Sequence, residues 1–584
     1  MKKGIIKNNI TGFLLLLLIV IVVNVLSEFK FFRLDLTAEK RYSLSEISIN
    51  QLEKLDDIVF LKIYLDGDNL PPGFKRLKNS LNEMLDEFII YGGDNIQYEF
   101  INPNAESSKE KREAIHKELY QRGLVPITLY EKDEEGNSSE KVIYPGIIAT
   151  YKGRELAVDL LANNPLKSQE ENLNNSVSEL EYNLSSTIEN LQKEYIPTIG
   201  FTTDHGELSN ANTYMIKKAL SDFYNVQNVA LNENLSSLSE RNQVDSTSDK
   251  IRYENKFELL FIAKPTKPFS EKDKFILDQF VMHGGRIVWL IDGSSANMDS
   301  LAHSSSSMAL PINLNMNDQF FNYGVRINND LIQDLLCARI PAKPVYSGQG
   351  RPQLVPFDWL YFPLINPTVE HEITNNLDMI FSQFASSIDT VHPDPLIKKT
   401  VLLTTSKYTK TIETPLRVSL DLLNITPDKN FFTKQNIPIA VMLEGSFRSN
   451  FLNRIPVEIK NSPLIDFRGE SSNTKMLFIS DGEIIKNPTK TVNGKEMPYP
   501  TGYDIYSQVT YANKDFILNA TSYLLGNSGT IYLRNRQITL RLLDRTKIEE
   551  SGNMWKILNT AIPVFLIIIF GIIINFIRKR RFTK

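Results

Sequence analysis

From Asp57 onward the chain alternates short apolar runs with longer amphipathic ones. The run DIVFLKIYL (Asp57 to Leu65) predicts a strand, and Pro71-Pro72-Gly73 opens a helix in which Phe74, Leu77, Leu81, Met84, Leu85 and Phe88 recur every three or four positions. Gly92-Gly93 stops that helix. NIQYEFIN then alternates through Ile96, Tyr98 and Phe100, SSKEKREAIHKELYQRG predicts a charged helix ending at Gly123, and Pro126 opens the strand ITLYE. Lys141 to Val158 holds two extended runs, KVIYPGIIATY and RELAVD, joined at Lys152-Gly153 as a hairpin.

This βαβα order followed by a hairpin, with a proline heading the third strand, resembles a thioredoxin-like domain. Its redox centre needs Cys-x-x-Cys before the first helix, where residues 66–72 read Asp-Gly-Asp-Asn-Leu-Pro-Pro, so the expectation is a structural or binding version of that fold. Residues 165–194 are rich in Asn, Ser and Glu, with Leu173, Val177, Leu180, Leu184, Ile188 and Leu191 at helical spacing; they predict a connecting helix with a solvated polar face.

A second α/β series starts at Ile196. PTIGFTTDHGE is a buried strand entering a polar loop, and TYMIKKALSDFY is an amphipathic helix. After VQNVALN and a polar insert around Ser236 to Lys250 come the strand FELLFIAKP, the helix SEKDKFILDQFVMHG and the strand RIVWLIDG. Such alternation predicts a largely parallel sheet with helices on both faces. Past about residue 300 the chain is irregular, but TKMLFISDG (474–482) and KDFILNATSYLLG (514–526) are expected to return to the same sheet.

The ends change the picture. Ile10 to Leu26 is uncharged over 17 residues and Ile557 to Ile577 over 21; both can cross a hydrocarbon core of about 30 Å, the first only just. Leu14 and Leu18 represent the first span, Ile567 and Ile573 the second. Lys2 and Lys3 precede the first, and Arg578, Lys579, Arg580 and Arg581 follow the second, which places both termini in the cytoplasm and the body outside it. A cleaved signal peptide is the rival reading of the first segment, but no A-x-A site follows it.

A single cysteine, Cys337, excludes an intrachain disulfide, so the body relies on hydrophobic cores. The net charge of −4 gives no footprint for nucleic acid. No G-x-x-x-x-G-K-[ST] occurs, so any ATP-driven work falls to a partner. Cys337 lies in DLLCARIP without the glycine-flanked turn of a nucleophile, and Ser294-Ser295 lacks the G-x-S-x-G frame. Asp66-Gly67-Asp68-Asn69 resembles a calcium-loop fragment without its distant glutamate and reads as a turn. Val345 to Phe362 is either a partner surface or an irregular connection around a packed Trp359.

The most chemical stretch is Asp204, His205 and Glu207 in Thr202-Thr203-Asp204-His205-Gly206-Glu207, at the carboxyl end of a parallel strand where α/β domains place ligands. A metal or acid/base role needs further ligands, and the other histidines offer no H-x-x-x-H or H-E-x-x-H spacing. The expectation is therefore a ligand or partner contact, or a loop capped by Asp204, with no catalytic residue, no metal and no cofactor.

Arg33-Leu-Asp-Leu-Thr37, Lys40-Arg-Tyr-Ser-Leu-Ser45, Thr203-Asp-His-Gly-Glu207, LDQFVMHGGRIVWLID, the run Gly324 to Cys337, Ser462-Pro-Leu-Ile-Asp-Phe-Arg468, Asn513-Lys-Asp-Phe516 and Leu540-Arg-Leu-Leu-Asp544 occur in that order. Together they resemble the gliding-motility-associated ABC-transporter auxiliary family of the Gld G type. The resemblance implies a glutamine-amidotransferase-like (flavodoxin-like) domain, similar to one in an intraflagellar-transport protein. It also implies a separate permease and ATPase as partners, beside membrane lipid and an envelope or cargo component.

The expected fold class is α/β: an extracytoplasmic thioredoxin-like domain plus a glutamine-amidotransferase-like parallel-sheet domain, flanked by two transmembrane helices in the inner membrane with a periplasmic body. The expected division is a cytoplasmic N-terminus (1–9), a first transmembrane helix (10–27), the thioredoxin-like domain (28–160), a connecting helix (161–194), the auxiliary α/β domain (195–553), a second transmembrane helix (555–577) and a basic cytoplasmic tail (578–584). The rival functions are an envelope enzyme acting on sugar or peptide through Asp204, His205 and Glu207, and a passive structural strut.

Overall fold

The structure, a computed structural model, describes Leu15, Leu17, Leu18 and residues 43–67, 70–106, 108–124, 126–132, 138–161, 169–193, 195–245, 248–342, 355–375, 377–391, 396–492, 495–526 and 545–582. It is mixed α/β and divides into residues 1–537 and 538–584.

A short helix, α1 (Glu46–Leu52), is capped by Ser45, whose Oγ accepts the Ser48 N–H. Strand β1 (Val59–Ile63) follows, with Val59, Leu61 and Ile63 all buried on one face. Helix α2 (Pro72–Gly92) starts with Pro72, whose fixed φ suits a first turn, and buries the stripe Phe74, Leu77, Leu81, Leu85 and Phe88. Strand β2 (Ile96–Phe100) and helix α3 (Lys109–Gln121) come next.

ITLYE forms β3 (Ile127–Lys132), but its partner is β4 (Ser138–Ile143) in a separate hairpin, not the main sheet. The run KVIYPGIIATY is split at Tyr144-Pro145, because proline can give the ladder no N–H, and the main sheet resumes with β5 (Gly146–Tyr151). Strand β6 (Arg154–Asp159) returns through Lys152 and Gly153, whose φ values of 46° and 77° suit a two-residue hairpin turn. The sheet order is β2-β1-β5-β6, with β1 parallel to β2 and antiparallel to β5.

The expected connecting helix is two helices, α4 (Gln169–Ser178) and α5 (Leu180–Gln192), and neither is a solvated spacer. Leu173, Leu180, Leu184, Ile188 and Leu191 join the core built by β1 and α2. Even Glu181 is buried; its Oε1 accepts the Ser45 N–H at 2.7 Å and the Ser48 hydroxyl at 2.9 Å.

The second series forms a seven-stranded sheet. Its strands are β7 (Thr198–Thr202), β8 (Asn225–Val229), then, after a hairpin of β9 (Ser239–Asp245) and β10 (Ser248–Asn255) where a polar insert was expected, β11 (Leu259–Ala263), β12 (Arg286–Leu290), β13 (Ile397–Thr404), β14 (Pro438–Gly445) and β15 (Thr474–Ile479). The order is β13-β14-β15-β12-β11-β7-β8; the last five are mutually parallel, while β14 runs antiparallel to β13 and β15. Every residue of β11 is buried, as expected for a strand covered on both faces.

One face carries α6 (Tyr214–Ser221), with Ile216 and Leu220 against Ile199, Phe201, Leu259 and Phe261. The other carries α7 (Glu271–Met282), with Ile276, Leu277, Phe280 and Val281 packed around Trp289 and Phe478. Helix α8 (Asn513–Leu524) returns to the α6 face through Phe516, Ile517, Ala520 and Leu524. Within 345–362, residues 345–354 lie outside the described residues; in the strand Val355–Ile365 the stretch Trp359 to Phe362 is buried, so that stretch is packing rather than an open partner surface.

In the second unit, α9 (Arg545–Phe582) holds an apolar stretch, Met554–Ile577, of which nothing is buried in protein. At 1.5 Å per residue it extends about 36 Å, more than a hydrocarbon core of about 30 Å, so it is long enough to anchor the chain in a membrane. Ile567 is 71% and Ile573 49% exposed. Of the expected first anchor, Leu15, Leu17 and Leu18 are helical and exposed; Leu14, Lys2 and Lys3 lie outside the described residues. Lys579 and Arg580 continue α9, the Arg580 guanidinium standing 5.6 Å from the Phe576 ring centre; nothing is described of the Arg578 and Arg581 side chains.

Candidate functional site

Strand β7 begins the sheet, and the chain moves to β8 on one side before crossing to β11 on the other. The carboxyl ends of β7 and β11 are therefore the switch point of the sheet, where α/β folds place ligands. The loop after β7 carries Asp204, His205 and Glu207, and the loop after β11 lies against it: the N–H groups of Thr266 and Lys267 both donate to the His205 carbonyl at 2.9 Å. Gly206 has φ of +73°, and a β-carbon there would stand 2.3 Å from Thr266 Oγ1, so both conformation and space require glycine.

The structure brings the three expected residues together. His205 Nδ1 is 3.1 Å from Asp204 Oδ1 and 3.9 Å from Glu207 Oε1. Each carboxylate is held by its other oxygen: Asp204 Oδ2 accepts the Asn232 N–H at 2.8 Å, and Glu207 Oε2 accepts the His205 N–H at 2.6 Å. Both remaining oxygens therefore face the imidazole. The ring stacks on Phe269, 3.9 Å between centres and 12° from parallel, and its side chain is only 7% exposed.

A fourth residue, Asp273, completes the cluster. Its Oδ2 lies 3.4 Å from His205 Nε2, while Oδ1 accepts the Glu233 N–H at 2.9 Å. Asp273 sits in the first turn of α7, where Ser270 caps: the Asp273 N–H donates to Ser270 Oγ, and the Ser270 hydroxyl donates back to Asp273 Oδ2 at 2.9 Å. The helix N-terminus favours the negative charge there. The signal in the sequence was the Ser-x-x-Asp spacing of SEKD, which announces a cap but not a neighbour of His205.

A second polar cluster lies at the ends of β11, β12 and β15. Lys264 Nζ is 3.0 Å from Asp292 Oδ2 and 2.8 Å from Glu483 Oε1, and Lys486 reaches the same Glu483 oxygen at 2.9 Å. Burial favours the neutral form of Glu483, yet Lys264 and Lys486 outweigh it and hold the carboxyl at about 2. Asp481, buried and beside Asp292, is pushed up to about 7, chiefly by desolvation. It accepts hydrogen bonds from Ser382 Oγ, Gln383 N–H and Glu483 N–H, each at 2.8 Å. This cluster is closed and internally paired, and it braces the loop that supports His205.

The remaining sequence candidates do not converge on the 204–207 loop. Cys337 starts a strand (Cys337–Ala342), and burial pushes its thiol up to about 12, which leaves it unreactive. Asp66 accepts from Lys78 Nζ at 2.5 Å and from the Gly67 N–H, as a turn residue does; Asp68 and Asn69 lie outside the described residues. An open cavity of about 850 Å³ lies away from the 204–207 loop, lined in part by Asp318, Phe321, Arg326, Glu413 and Arg454. Its two arginines are already engaged, Arg454 with Asp318 at 2.6 Å and Arg326 with Asp389 at 2.5 Å.

Residues 38–150 match a family described as a domain of unknown function (DUF7088). Among solved structures, the mmIFT52 N-terminal domain is similar at 13% identity over 56% of this chain and 97% of that one, with a TM-score of 0.29, a likeness too distant to carry a fold assignment. No curated protein matches in sequence. Residues 196–520, more than half of the chain and including Asp204, His205, Glu207 and Asp273, match the family described as an ABC-type uncharacterized transport system. The chain belongs to that ABC-type transport system family, which gives it an auxiliary role in transport.

Proposed function

We propose that the chain is a non-catalytic, membrane-anchored auxiliary subunit of an ABC transporter associated with gliding motility, working beside a separate permease and a separate ATPase. The observation that carries this reading is the family match over 196–520 in a chain that also bears the exposed apolar helix Met554–Ile577. The absence of a phosphate-binding glycine loop in the sequence leaves ATP to the partner. The finer topology, with anchors at 10–27 and 555–577, both termini cytoplasmic and the body periplasmic, is supported by Lys2, Lys3 and the basic tail Arg578, Lys579, Arg580 and Arg581.

In this reading the N-terminal body is thioredoxin-like, supported by the order β2-β1-β5-β6, and the second is amidotransferase-like, supported by the flavodoxin-like order β8-β7-β11-β12. Asp204, His205 and Glu207 serve as a ligand or partner contact. Their geometry argues against acid/base catalysis, because both ring nitrogens of His205 already face carboxylates and the side chain is almost wholly covered. The test is affinity purification of the full chain from native membranes. Recovery with a permease and an ATPase is expected; recovery alone, with the permease expressed, overturns the reading. An envelope enzyme is the rival, and D204N/H205Q/E207Q with intact folding and unchanged phenotype removes it.

A further inference from the structure

We infer that the loop after β7 is a divalent transition-metal site whose protein ligands are His205 Nδ1, Asp204 Oδ1 and Glu207 Oε1, with Asp273 orienting the imidazole. The inference deepens the ligand-contact reading of this loop and rests on it.

The three ligand atoms already lie within 4.8 Å of one another. Ligand bonds of about 2.0–2.2 Å set donors roughly 3.3 Å apart around a tetrahedral ion, so the widest separation closes by about 1.5 Å or less, within reach of side-chain rotation. The oxygens are held for this purpose. Asn232 and the His205 main chain occupy one oxygen of each carboxylate, and the other is turned toward Nδ1.

Glu207 carries the point furthest. Its side chain is 1% exposed, and its Oε1 has no hydrogen-bond partner. A buried carboxylate oxygen without a partner is destabilising, and a cation at this spot satisfies it. His205 Nδ1 stands within hydrogen-bond reach of Asp204 Oδ1 at 3.1 Å, and an ion that takes Nδ1 moves the ring proton to Nε2, where Asp273 Oδ2 faces it at 3.4 Å in the carboxylate–histidine arrangement of metal sites. An imidazole among the donors selects zinc over magnesium, calcium and manganese, which prefer oxygen donors. Asp204, the most exposed of the three at 16%, marks the open side where water or a partner's group completes the coordination.

The experiment uses full-length protein in detergent, stripped with chelator and titrated calorimetrically with ZnCl2, with MnCl2, MgCl2 and CaCl2 as comparisons. Saturable zinc binding to a single site is expected, weakened at least about tenfold in D204N and E207Q and about 10–100-fold in D273N. Zinc-edge absorption spectroscopy on the unmodified protein needs no variant: a single imidazole with oxygen ligands supports the site, whereas sulfur or several imidazoles overturns it. Absence of saturable binding, or unmodified affinity in folded D204N and E207Q, also overturns it. Loss of zinc with permease recovery intact removes the metal alone; zinc binding without permease recovery removes the transporter reading alone.

Discussion

Nε2 of His205, in the loop after β7, faces Oδ2 of Asp273, in the first turn of α7, at 3.4 Å. Two segments far apart in the chain are thereby tied at one point, and Asp273 serves three masters there: the helix cap, the Glu233 main chain and the imidazole. D273N keeps the shape but removes the charge. We expect a loss of about 1–3 kcal/mol, read as a lowered melting temperature, with D273A lower still. Equal melting of D273A and the unmodified protein excludes this role.

Lys264 is the cation between Asp292 and Glu483. Removing one partner of a buried network leaves charges uncompensated, a loss of about 3–5 kcal/mol. K264M should therefore melt far below the unmodified protein and become sensitive to limited proteolysis. A K264M protein as resistant as its parent contradicts the bracing role.

Asp481 gives the protein a pH signature. Its folded pKa of about 7 lies above the ordinary carboxylate value, so between about pH 4 and 7 the folded state holds a proton that the unfolded chain releases. Stability from this group is thus complete below pH 4 and is lost as pH rises through 7. Asp292 is raised as well and acts in the same direction, whereas Glu483, held at about 2, gives stability that is lost only in stronger acid. D481N should gain on the unmodified protein in melting temperature between pH 5 and pH 8. A difference that is constant across that range refutes the assignment.

Leu184 and Ile188 of α5 are buried in the N-terminal core. L184A or I188A should cost about 2–5 kcal/mol each, as core truncations do. Hydrogen exchange should then rise in β1 and α2; exchange that rises in α5 alone indicates a free spacer.

Ile567 lies near the centre of the apolar stretch Met554–Ile577. A lysine there opposes insertion by about 2.5–3.5 kcal/mol on the translocon scale. With the first apolar run interrupted by L18K, I567K should raise the fraction of the protein extracted by alkaline carbonate. Unchanged extraction means that α9 is not the anchor.

Much of this molecule is written in local pattern. The stripe of α2, the buried runs of β11 and β12 and the turn at Lys152-Gly153 follow from periodicity and from the positive φ that glycine permits, because each is decided by residues close in sequence. Asp204, His205 and Glu207 were legible for the same reason: a short polar burst follows an apolar strand. The apolar stretch at 557–577 needed only composition and length.

Tertiary structure alone decided the rest. ITLYE has the pattern of a sheet strand, but pattern does not name a partner, and it paired with Ser138–Ile143. Helices α4 and α5 look polar in sequence because one face is; which face was covered depended on β1 and α2 lying beneath them. Asp273 reads as a helix cap until the fold brings α7 against the β7 loop. Side-chain periodicity sets which face of an element is apolar, whereas long-range packing, with its loop-closure entropy, sets what that face meets.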